Sequence, residues 1–547
     1  MESQRTFLFI GLLLVSFLLF QEWNNEKLQA NTDTSATTQQ VAAPANQIAQ
    51  EDDVPASTQN DVPAAVSKAV RSVITVKTDL LAVQIDTKGG DIVEAKLLQH
   101  AETHGSDTPF LLLGEFEGRE YISQSGLIGL NGPDASPEGR PVYTAQQKAY
   151  ELSGDELRVP LTFVDNKGVQ YTKTYVFKAG KYDVGLEYNV NNGTENPIQV
   201  QLYTQVKRTV QAKGSMVDQT YLGATYGTSE EPYEKYSFED MAEANLNKNT
   251  QGGYIAFIQH YFLSAWVPDQ SVNNTIYTLL RNNQGIIGIK GDAVNVQANT
   301  TATINSTFYM GPKDGDTLEA LHEDLDLAVD FGWLWFISQP LLVLLKLLYS
   351  FIGNWGVAII AITILVKMAL YPLTKAQYTS MAKMRALQPK MQQLKERYGD
   401  DRQKMGQATM ELYRKEKVNP MGGCLPLLLQ MPIFLALFYV FLESPELRHA
   451  EFMFWLTDLS AKDPYYVLPI LFGASMFLTQ KLQPMTVTDP MQQKMMTYMP
   501  IVFTFFFILF PFPSGLVLYW LVSNLITIAQ MLYIYRGMEK QGIKVRD

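Results

Sequence analysis

Long stretches without any charged residue constrain this sequence more than any other feature. Residues 421–442 and 497–535 contain no Asp, Glu, Lys or Arg, and residues 331–373 contain only Lys346 and Lys367 as charged residues. Uncharged apolar runs of about 18 residues or more are typical of membrane-spanning helices. The sequence therefore predicts that much of the C-terminal half of the chain lies in a membrane.

Six membrane spans are predicted. The run at residues 497–535 would be roughly 58 Å long as one helix, nearly twice the hydrocarbon thickness of about 30 Å. It must therefore contain a fifth and a sixth span, and it breaks at residues 511–515 (PFPSG), because proline lacks an amide hydrogen and glycine tolerates turn geometry. The other four predicted spans are residues 1–27, 354–373, 419–442 and 464–481.

The first of these spans has a competing interpretation. Its apolar part, residues 6–20, follows Arg5 and also suits the core of a signal peptide. Residues 21–27 (QEWNNEK) provide no small-x-small cleavage site directly after it. This absence favours an uncleaved N-terminal anchor over residues 1–27.

Charge is distributed unevenly and predicts the orientation of the spans. Residues 374–418 hold 11 Lys and Arg against 5 Asp and Glu, residues 443–463 hold 2 against 5, and residues 536–547 hold 4 against 2. The positive-inside rule places the first and last of these segments in the cytoplasm. With six spans, both termini and residues 482–496 are then cytoplasmic, and the loop 443–463 is periplasmic.

The acidic part of the chain is a predicted outer domain. Residues 21–330 hold 41 acidic and 22 basic residues, although the whole chain has a net charge of only -11. Residues 28–66 are poor in apolar side chains and predict a flexible linker, and residues 67–325 predict a large antiparallel β-sandwich. Apolar residues alternate with polar ones in seven runs of this region: residues 72–77, 80–87, 91–98, 170–177, 182–190, 198–210 and 286–289.

The cysteine and histidine content of the sequence and its lack of common catalytic motifs argue against an enzyme. Cys424 is the single cysteine, and five histidines are scattered along the chain. His100 and His104 have the spacing of a helical metal pair, but no third ligand lies near them in the sequence. Nucleophile-elbow, metalloprotease and phosphate-loop motifs are all missing. We therefore predict no catalytic, metal-binding or cofactor-binding residues and no cofactor.

Residues 326–353 link the outer domain to the second span. Their aromatic residues and Lys346 favour an amphipathic helix that lies along the outer face of the membrane. Tryptophan and tyrosine prefer the headgroup region there, and lysine can extend its charge to water. A re-entrant segment is the alternative.

Lys367 lies six residues before the end of the second predicted span. A lysine at mid-membrane costs roughly 2.5 to 3.5 kcal/mol, and extension of its side chain to the inner surface is the simplest explanation. Polar residues in this span and in the other spans favour a second explanation, a hydrated cleft, although each alone is typical of helix packing. They are Thr363, Gln430, Thr479, Gln480, Thr504, Tyr519, Ser523, Asn524 and Thr527.

Three sequence blocks resemble a known family. Residues 371–384 (YPLTKAQYTSMAKM), residues 419–434 (NPMGGCLPLLLQMPIF) and residues 513–519 (PSGLVLY) are similar to the YidC membrane protein insertases of Gram-negative bacteria, which are related to insertases of mitochondria and chloroplasts. The resemblance covers nearly the whole chain. It implies an inner-membrane protein with a periplasmic β-supersandwich and a five-helix core, which encloses a hydrophilic groove open to the cytoplasm and to lipid.

The resemblance also implies roles for individual residues. The groove cation of the family is usually arginine, and Lys367 occupies the matching position here, which keeps the charge but loses the planar bidentate fork. Two aromatic groove positions match Tyr519 and Trp520, the second of which is commonly tyrosine. The predicted substrate groove consists of Lys367, Thr363, Gln430, Thr504, Tyr519, Trp520, Ser523 and Asn524.

Residues 374–418 match the cytoplasmic helical hairpin of the family. Met381, Met384 and Met391 recur there at helical spacing. Methionine stripes are usually packing surfaces, but flexible methionine side chains also suit varied apolar clients. We predict that these three methionines capture clients.

The predicted function is therefore that of a membrane protein insertase and chaperone. Its predicted partners are nascent membrane proteins, membrane lipids, the Sec translocon by resemblance and, weakly, the ribosome, with no DNA. Two alternatives remain: a secondary transporter, although no internal repeat relates the spans, and a membrane-anchored protein that binds or processes envelope carbohydrates.

Overall fold

The computed structural model describes residues 72–116, 118–210, 221–398, 401–416, 418, 425–482, 490–510 and 512–540. The predicted anchor and linker lie outside these residues. The chain divides into two compact units, and the features below belong to the larger one, Gln50–Thr486 with Pro500–Asp547. Of the smaller unit, Met1–Ala49 with Val487–Met499, only the first half of one helix is described.

The N-terminal part of the described chain is a β domain with one short helix, α1 (Phe238–Glu243). Its strands are β1 (Val73–Lys77), β2 (Leu81–Asp86), β3 (Ile92–Ala101), β4 (Pro109–Phe116), β5 (Arg119–Ile128), β6 (Thr144–Ala145), β7 (Ala149–Glu151), β8 (Glu156–Val164), β9 (Gln170–Lys178), β10 (Asp183–Asn192), β11 (Ile198–Thr209), β12 (Gly223–Gly227), β13 (Glu234–Tyr236), β14 (Asn247–Gln251), β15 (Tyr254–Ile258), β16 (Phe262–Pro268), β17 (Asn273–Arg281), β18 (Gln284–Gly291), β19 (Val294–Val296) and β20 (Thr300–Pro312).

The strands form two large sheets. The order in the first sheet is β14-β17-β18-β11-β5-β4-β3-β2-β1-β7, with β19 also paired to β11, and the order in the second is β13-β12-β15-β16-β20-β10-β9-β8-β6. Neighbouring strands are antiparallel, except for the parallel pair β1 and β7. The predicted all-β outer domain is thus confirmed, and each of the seven predicted runs overlaps a strand.

Strand β10 shows how the sequence specifies the sandwich. Its side chains alternate between the core and the other face, and Val184, Leu186, Tyr188 and Val190 are fully buried. Side chains of a strand point to opposite faces with a period of two residues. β10 is held in register between β9 and β20, so its apolar face stays in the core between the sheets.

The Gly89-Gly90 turn between β2 and β3 also forms as predicted. Both residues have positive φ angles, 74° and 65°, which favour glycine. A Cβ atom at Gly89 would lie 2.3 Å from the guanidinium carbon of Arg140. Arg140 is itself buried in ion pairs with Asp91 and Asp134, so glycine leaves room for a buried charge network.

The rest of the described chain is helical. Its helices are α2 (Gly315–Leu321), α3 (Trp335–Ile352), α4 (Trp355–Ala369), α5 (Tyr371–Ala386), α6 (Gln388–Tyr398), α7 (Arg402–Lys415), α8 (Leu425–Glu443), α9 (Val467–Leu482), α10 (Pro490–Leu509) and α11 (Ser514–Glu539).

Length and composition identify candidate spans among the described helices. The stretch Gly332–Ile352 and α11 are each long and apolar enough to cross a membrane, and the bent pair of α4 and α5 would be a third. The stretches Gln430–Glu443, Val467–Leu482 and Thr497–Leu509 are apolar but shorter. These lengths leave the number of spans, and the interfacial placement of α3, as predictions.

A helix break lies inside the second predicted span, residues 354–373. Helix α4 ends at Ala369, and α5 begins at Tyr371 with its axis bent by 62°. Pro372 lies in the first turn of α5. Proline has no N–H for a helical hydrogen bond and clashes with the preceding turn, so residues 371–373 lie in α5 and not in α4.

The break in the last apolar run lies between α10 and α11. Helix α10 ends at Leu509, and α11 begins at Ser514. The loop after α8 holds this break in place, because the backbone N–H of Ser514 donates to the Ala461 carbonyl at 2.7 Å and that of Gly515 donates to the Leu459 carbonyl at 2.9 Å. Helix α10 starts at Pro490, earlier than the predicted residue 497.

Charged side chains dock the β domain on the outer end of α8. Lys313, directly after β20, forms a buried ion pair with Glu443 at 2.7 Å. Arg448 donates to the Ala101 carbonyl at 2.7 Å and lies over the rings of Phe110 and Phe262. The β domain and the loop after α8 therefore pack as neighbours.

Candidate functional site

Lys367 is buried near the end of α4. Only 8% of the residue is exposed. Its Nζ donates a hydrogen bond to Thr527 Oγ1 of α11 at 3.0 Å, and the Thr527 hydroxyl donates to the Ser523 carbonyl at 2.8 Å. Among the described residues, the ammonium pairs with this hydroxyl and forms no ion pair. An ammonium has three N–H donors, so two donors have no partner within that part of the chain.

Thr363 lies one helical turn before Lys367 on the same face of α4. It is 1% exposed, and its hydroxyl donates to the Ile359 carbonyl of its own helix at 2.6 Å. Such a bond satisfies a hydroxyl locally and often bends a helix. Gln430, on α8, is half-buried. The structure shows no hydrogen bond from the Thr363 side chain to Lys367 or Gln430.

Polar side chains follow one face of α11. Tyr519 and Ser523 are buried there, 5% and 9% exposed. Asn524 Nδ2 donates to Ser475 Oγ of α9 at 3.2 Å, which ties the two helices together. The predicted stripe thus contacts two neighbouring helices, α4 through Thr527 and α9 through Asn524.

Thr504 lies where α10 and α9 approach closely. Its hydroxyl donates to the Pro500 carbonyl at 2.7 Å. A Cβ atom added to Gly473 of α9 would lie 1.8 Å from Thr504 Oγ1. Close helix contacts of this kind require a small residue, so Thr504 has a packing role in this structure.

Aromatic rings surround Trp520. Its ring stacks on Phe434 with centroids 5.8 Å apart, and it meets Phe472 at 5.9 Å and Phe507 at 4.7 Å. Its Nε1 is buried without a hydrogen-bond acceptor among the described residues. Trp520 lies seven residues before Thr527, about 10 Å along the helix. The site is therefore aromatic toward the outer loop and polar toward the hairpin.

The hairpin methionines have different surroundings. All three are half-buried, and Met381 also packs against a cluster that includes Tyr378 of α5 and Tyr535 of α11. Tyr378 and Tyr535 meet edge to face with centroids 5.8 Å apart. The cluster joins α5 to the end of α11, so Met381 has a packing contact beside the groove helix.

Sequence reasoning missed several residues of this site. Gln530 Nε2 donates to the Lys367 carbonyl at 3.1 Å, and Ser475 accepts from Asn524. Gln530 follows Ser523 and Thr527 at helical spacing, so the polar stripe on α11 could have identified it. In the described part of the chain, no group of three or more His, Cys, Asp or Glu residues could hold a metal ion.

Comparisons with known proteins identify the family. Residues 73–344 match the YidC periplasmic domain, and residues 347–541 match the 60Kd inner membrane protein family. A membrane protein insertase YidC of Pseudoalteromonas translucida is 72% identical over 547 residues, and one of Shewanella loihica is 54% identical over 552 residues; each alignment covers 100% of both chains.

Solved structures add no weight to this assignment. An active YidC insertase, with its first transmembrane domain resolved, aligns with a TM-score of 0.37 at 21% identity, over 86% of this chain and 94% of that one. The assignment rests on the sequence matches.

These matches confirm the resemblance seen in the three sequence blocks. They also confirm the predicted function, an insertase rather than an enzyme, and they set aside the transporter and carbohydrate alternatives. The family acts on nascent membrane proteins and resides in the inner membrane, with a periplasmic domain. The chain belongs to the YidC family of membrane protein insertases.

Proposed function

We propose that Lys367 and the polar face of α11 form a hydrated, positively charged groove that receives client segments and releases them into lipid. The observation that carries this proposal is the position of Lys367: its ammonium is buried, and a neutral hydroxyl, that of Thr527, is its hydrogen-bond partner. Two of the three N–H donors of this ammonium have no partner among the described residues, so they are available to water and to anionic or polar groups of a client.

The groove acts on polar or acidic residues of the client. It shortens the apolar path that these residues must cross, and the apolar segment of the client then enters lipid with a gain of about 25 cal/mol per Å² buried. For a client with a negatively charged tail, the membrane potential contributes roughly 2.3 kcal/mol per charge per 100 mV. Neither step requires covalent chemistry.

The remaining polar residues complete the groove. Thr363, Gln430, Ser523 and Asn524 supply polar side chains around Lys367, and Thr504 shapes the contact between α9 and α10. Tyr519 and Trp520 form the aromatic end, which limits access from the outer side. The packing of Trp520 against Phe434 and Phe507 supports this role.

The hairpin and the topology belong to the same proposal. Six spans place both termini in the cytoplasm, consistent with 11 basic residues in residues 374–418. Met384 and Met391 then meet clients before the groove does. The Sec translocon and the ribosome are proposed partners by family resemblance, and the short tail makes ribosome binding weak. Basic hairpin residues also suit anionic lipid headgroups.

Insertion by the purified protein in vesicles tests the charge of the groove. The variants are Lys367→Arg and Lys367→Glu, assayed with a client whose translocated tail is acidic. We expect Lys367→Arg to retain most activity and Lys367→Glu to insert this client about tenfold more slowly, which corresponds to roughly 1.4 kcal/mol of lost attraction. Protease protection of the tail measures insertion.

A charge reversal on the β domain provides the control. Lys77 lies on the surface of the β domain, with its side chain 64% exposed, so Lys77→Glu should insert the client at the wild-type rate. Equal activity of wild type, Lys367→Arg and Lys367→Glu would rule out a role for the groove charge.

A further inference from the structure

The break between α4 and α5 leaves the Lys367 carbonyl near the end of a helix. The last four carbonyls of a helix have no partner within it, and α4 ends at Ala369. The Lys367 carbonyl instead accepts a hydrogen bond from Gln530 Nε2 of α11 at 3.1 Å. Gln530 thus caps the groove end of α4 from a neighbouring helix.

Helix α11 therefore holds Lys367 at two points. Thr527 accepts from the ammonium at 3.0 Å, and Gln530 donates to the backbone carbonyl of the same residue. Thr527 and Gln530 are three residues apart, so they lie on the same face of α11. One contact orients the charged end of the side chain, and the other fixes the backbone from which it extends.

The orientation of the Gln530 amide follows from its partner. A carbonyl can only accept, so the NH₂ group of Gln530 must face Lys367 and the amide oxygen must point away. That oxygen is buried without a hydrogen-bond donor among the described residues. Among the described residues, the Gln530 side chain therefore interacts with Lys367 only through the hydrogen bond that its NH₂ group donates.

Gln530 also lies between the groove and the hairpin. The next residue, Met531, packs with Tyr378 and Ala382 of α5 in a buried cluster. Since α5 begins two residues after α4 ends, the same segment of α11 contacts both sides of the 62° bend. Displacement of Gln530 would free the end of α4 at the position where the groove meets the hairpin.

We propose that Gln530 is a positioning residue for insertion, which holds Lys367 in the groove by fixing its backbone carbonyl against α11. This inference rests on the proposed function of the groove. It assigns to Gln530 an effect that acts through Lys367, so it predicts a selective loss for clients that depend on the positive charge.

A comparison of two clients in reconstituted vesicles tests this role. The clients differ only in the translocated tail, acidic in one and neutral in the other. Gln530→Leu removes the amide, and Gln530→Asn shortens it beyond reach of the carbonyl. We expect each variant to insert the acidic client three- to tenfold more slowly and the neutral client within twofold of wild type.

Gln530→Met removes the amide at nearly unchanged side-chain length. It loses the N–H that the Lys367 carbonyl needs and adds no charge beside Lys367, so we expect it to be impaired with the acidic client as strongly as Gln530→Leu. Wild-type activity of Gln530→Met would overturn the proposal. Tyr533→Phe is the matched control on α11, because Tyr533 is 71% exposed.

A double-mutant cycle with Lys367→Met decides whether Gln530 acts through Lys367. We expect the double variant Lys367→Met/Gln530→Leu to insert the acidic client no more slowly than Lys367→Met alone. Additive losses, or equal losses for both clients, would make Gln530 a structural residue only. Normal insertion by Lys367→Met would refute the groove itself, whereas a defect in Lys367→Met with none in Gln530→Leu or Gln530→Asn would refute only this inference.

Discussion

His100 is an ionisable residue at the contact between the β domain and the loop after α8. Its ring meets Phe262 edge to face at 5.2 Å and lies 6.2 Å from the ring of Tyr182. Burial, followed by the positive charge of Arg448 and by His449, lowers the pKa of His100 from 6.5 to about 4. The folded protein therefore holds this imidazole neutral under conditions in which the unfolded chain would protonate it.

The stability of the protein should fall on acidification because of His100. Between about pH 6.5 and pH 4 the unfolded chain binds a proton that the folded protein does not, so stability decreases as the pH falls through this range. A shift of this size corresponds to at most roughly 3 kcal/mol. Thermal unfolding in detergent at pH 7 and pH 4.5 should show a smaller acid-induced decrease in Tm for His100→Gln than for wild type. Equal decreases would show that His100 is not coupled to folding.

Some residues of the proposed groove could be predicted from the sequence, and others could not. Lys367 was conspicuous as the one charge in its predicted span, and Ser523 follows Tyr519 at helical spacing. Gln530 was overlooked although it extends the spacing of Ser523 and Thr527, and its contact could not be predicted because its partner is a backbone carbonyl at the end of a helix. The bend that places this carbonyl there depends on tertiary structure.

Among the helices, the break between α4 and α5 is a feature that hydropathy alone does not predict. The apolar pattern continues to Leu373, but the helix ends at Ala369. Apolar composition reports burial in protein or lipid and is indifferent to a bend. Pro372 carried the relevant local signal, because proline is tolerated in the first turn of a helix and not in its interior.

The hairpin methionines give a prediction about the order of client contacts. A photo-crosslinking residue at Met384 or Met391 should label a nascent client helix before one at Thr363 does, because the hairpin is proposed to meet the client first. The same probe at Tyr378 is the control, since this side chain is only 3% exposed and lies in the buried cluster with Tyr535, and it should label the client weakly. Timed crosslinking during synthesis measures the order, and earlier labelling from Thr363 would exclude a receiving role for the hairpin.

Across the whole molecule, the division into an acidic β domain and an apolar helical part was visible in the sequence. Their docking was not, because its contacts join residues that are distant along the chain. Lys313 and Glu443 are 130 residues apart, and one buried cluster contains Leu263 of the β domain and Phe441 of α8. The sequence around one residue of such a pair does not identify the other residue as its partner.

The buried ion pair should make this docking sensitive to loss of a single partner. The Lys313 and Glu443 side chains are 1% and 8% exposed, so Lys313→Met leaves an uncompensated buried carboxylate. Such changes typically cost about 3–5 kcal/mol, whereas removal of both charges often costs much less. We expect unfolding in detergent to show a large loss of stability for Lys313→Met and substantial recovery in Lys313→Met/Glu443→Gln.

Lys235 provides a matched control for this ion pair. It pairs with Asp330, but the two side chains are 38% and 35% exposed, and exposed pairs contribute only about 0–1 kcal/mol. Lys235→Met should therefore change the unfolding free energy little. If Lys313→Met were as mild as Lys235→Met, or if the double variant were no more stable than Lys313→Met, the charged contact would not be what fixes the β domain to α8. The apolar cluster around Leu263 and Phe441 would then carry the docking alone.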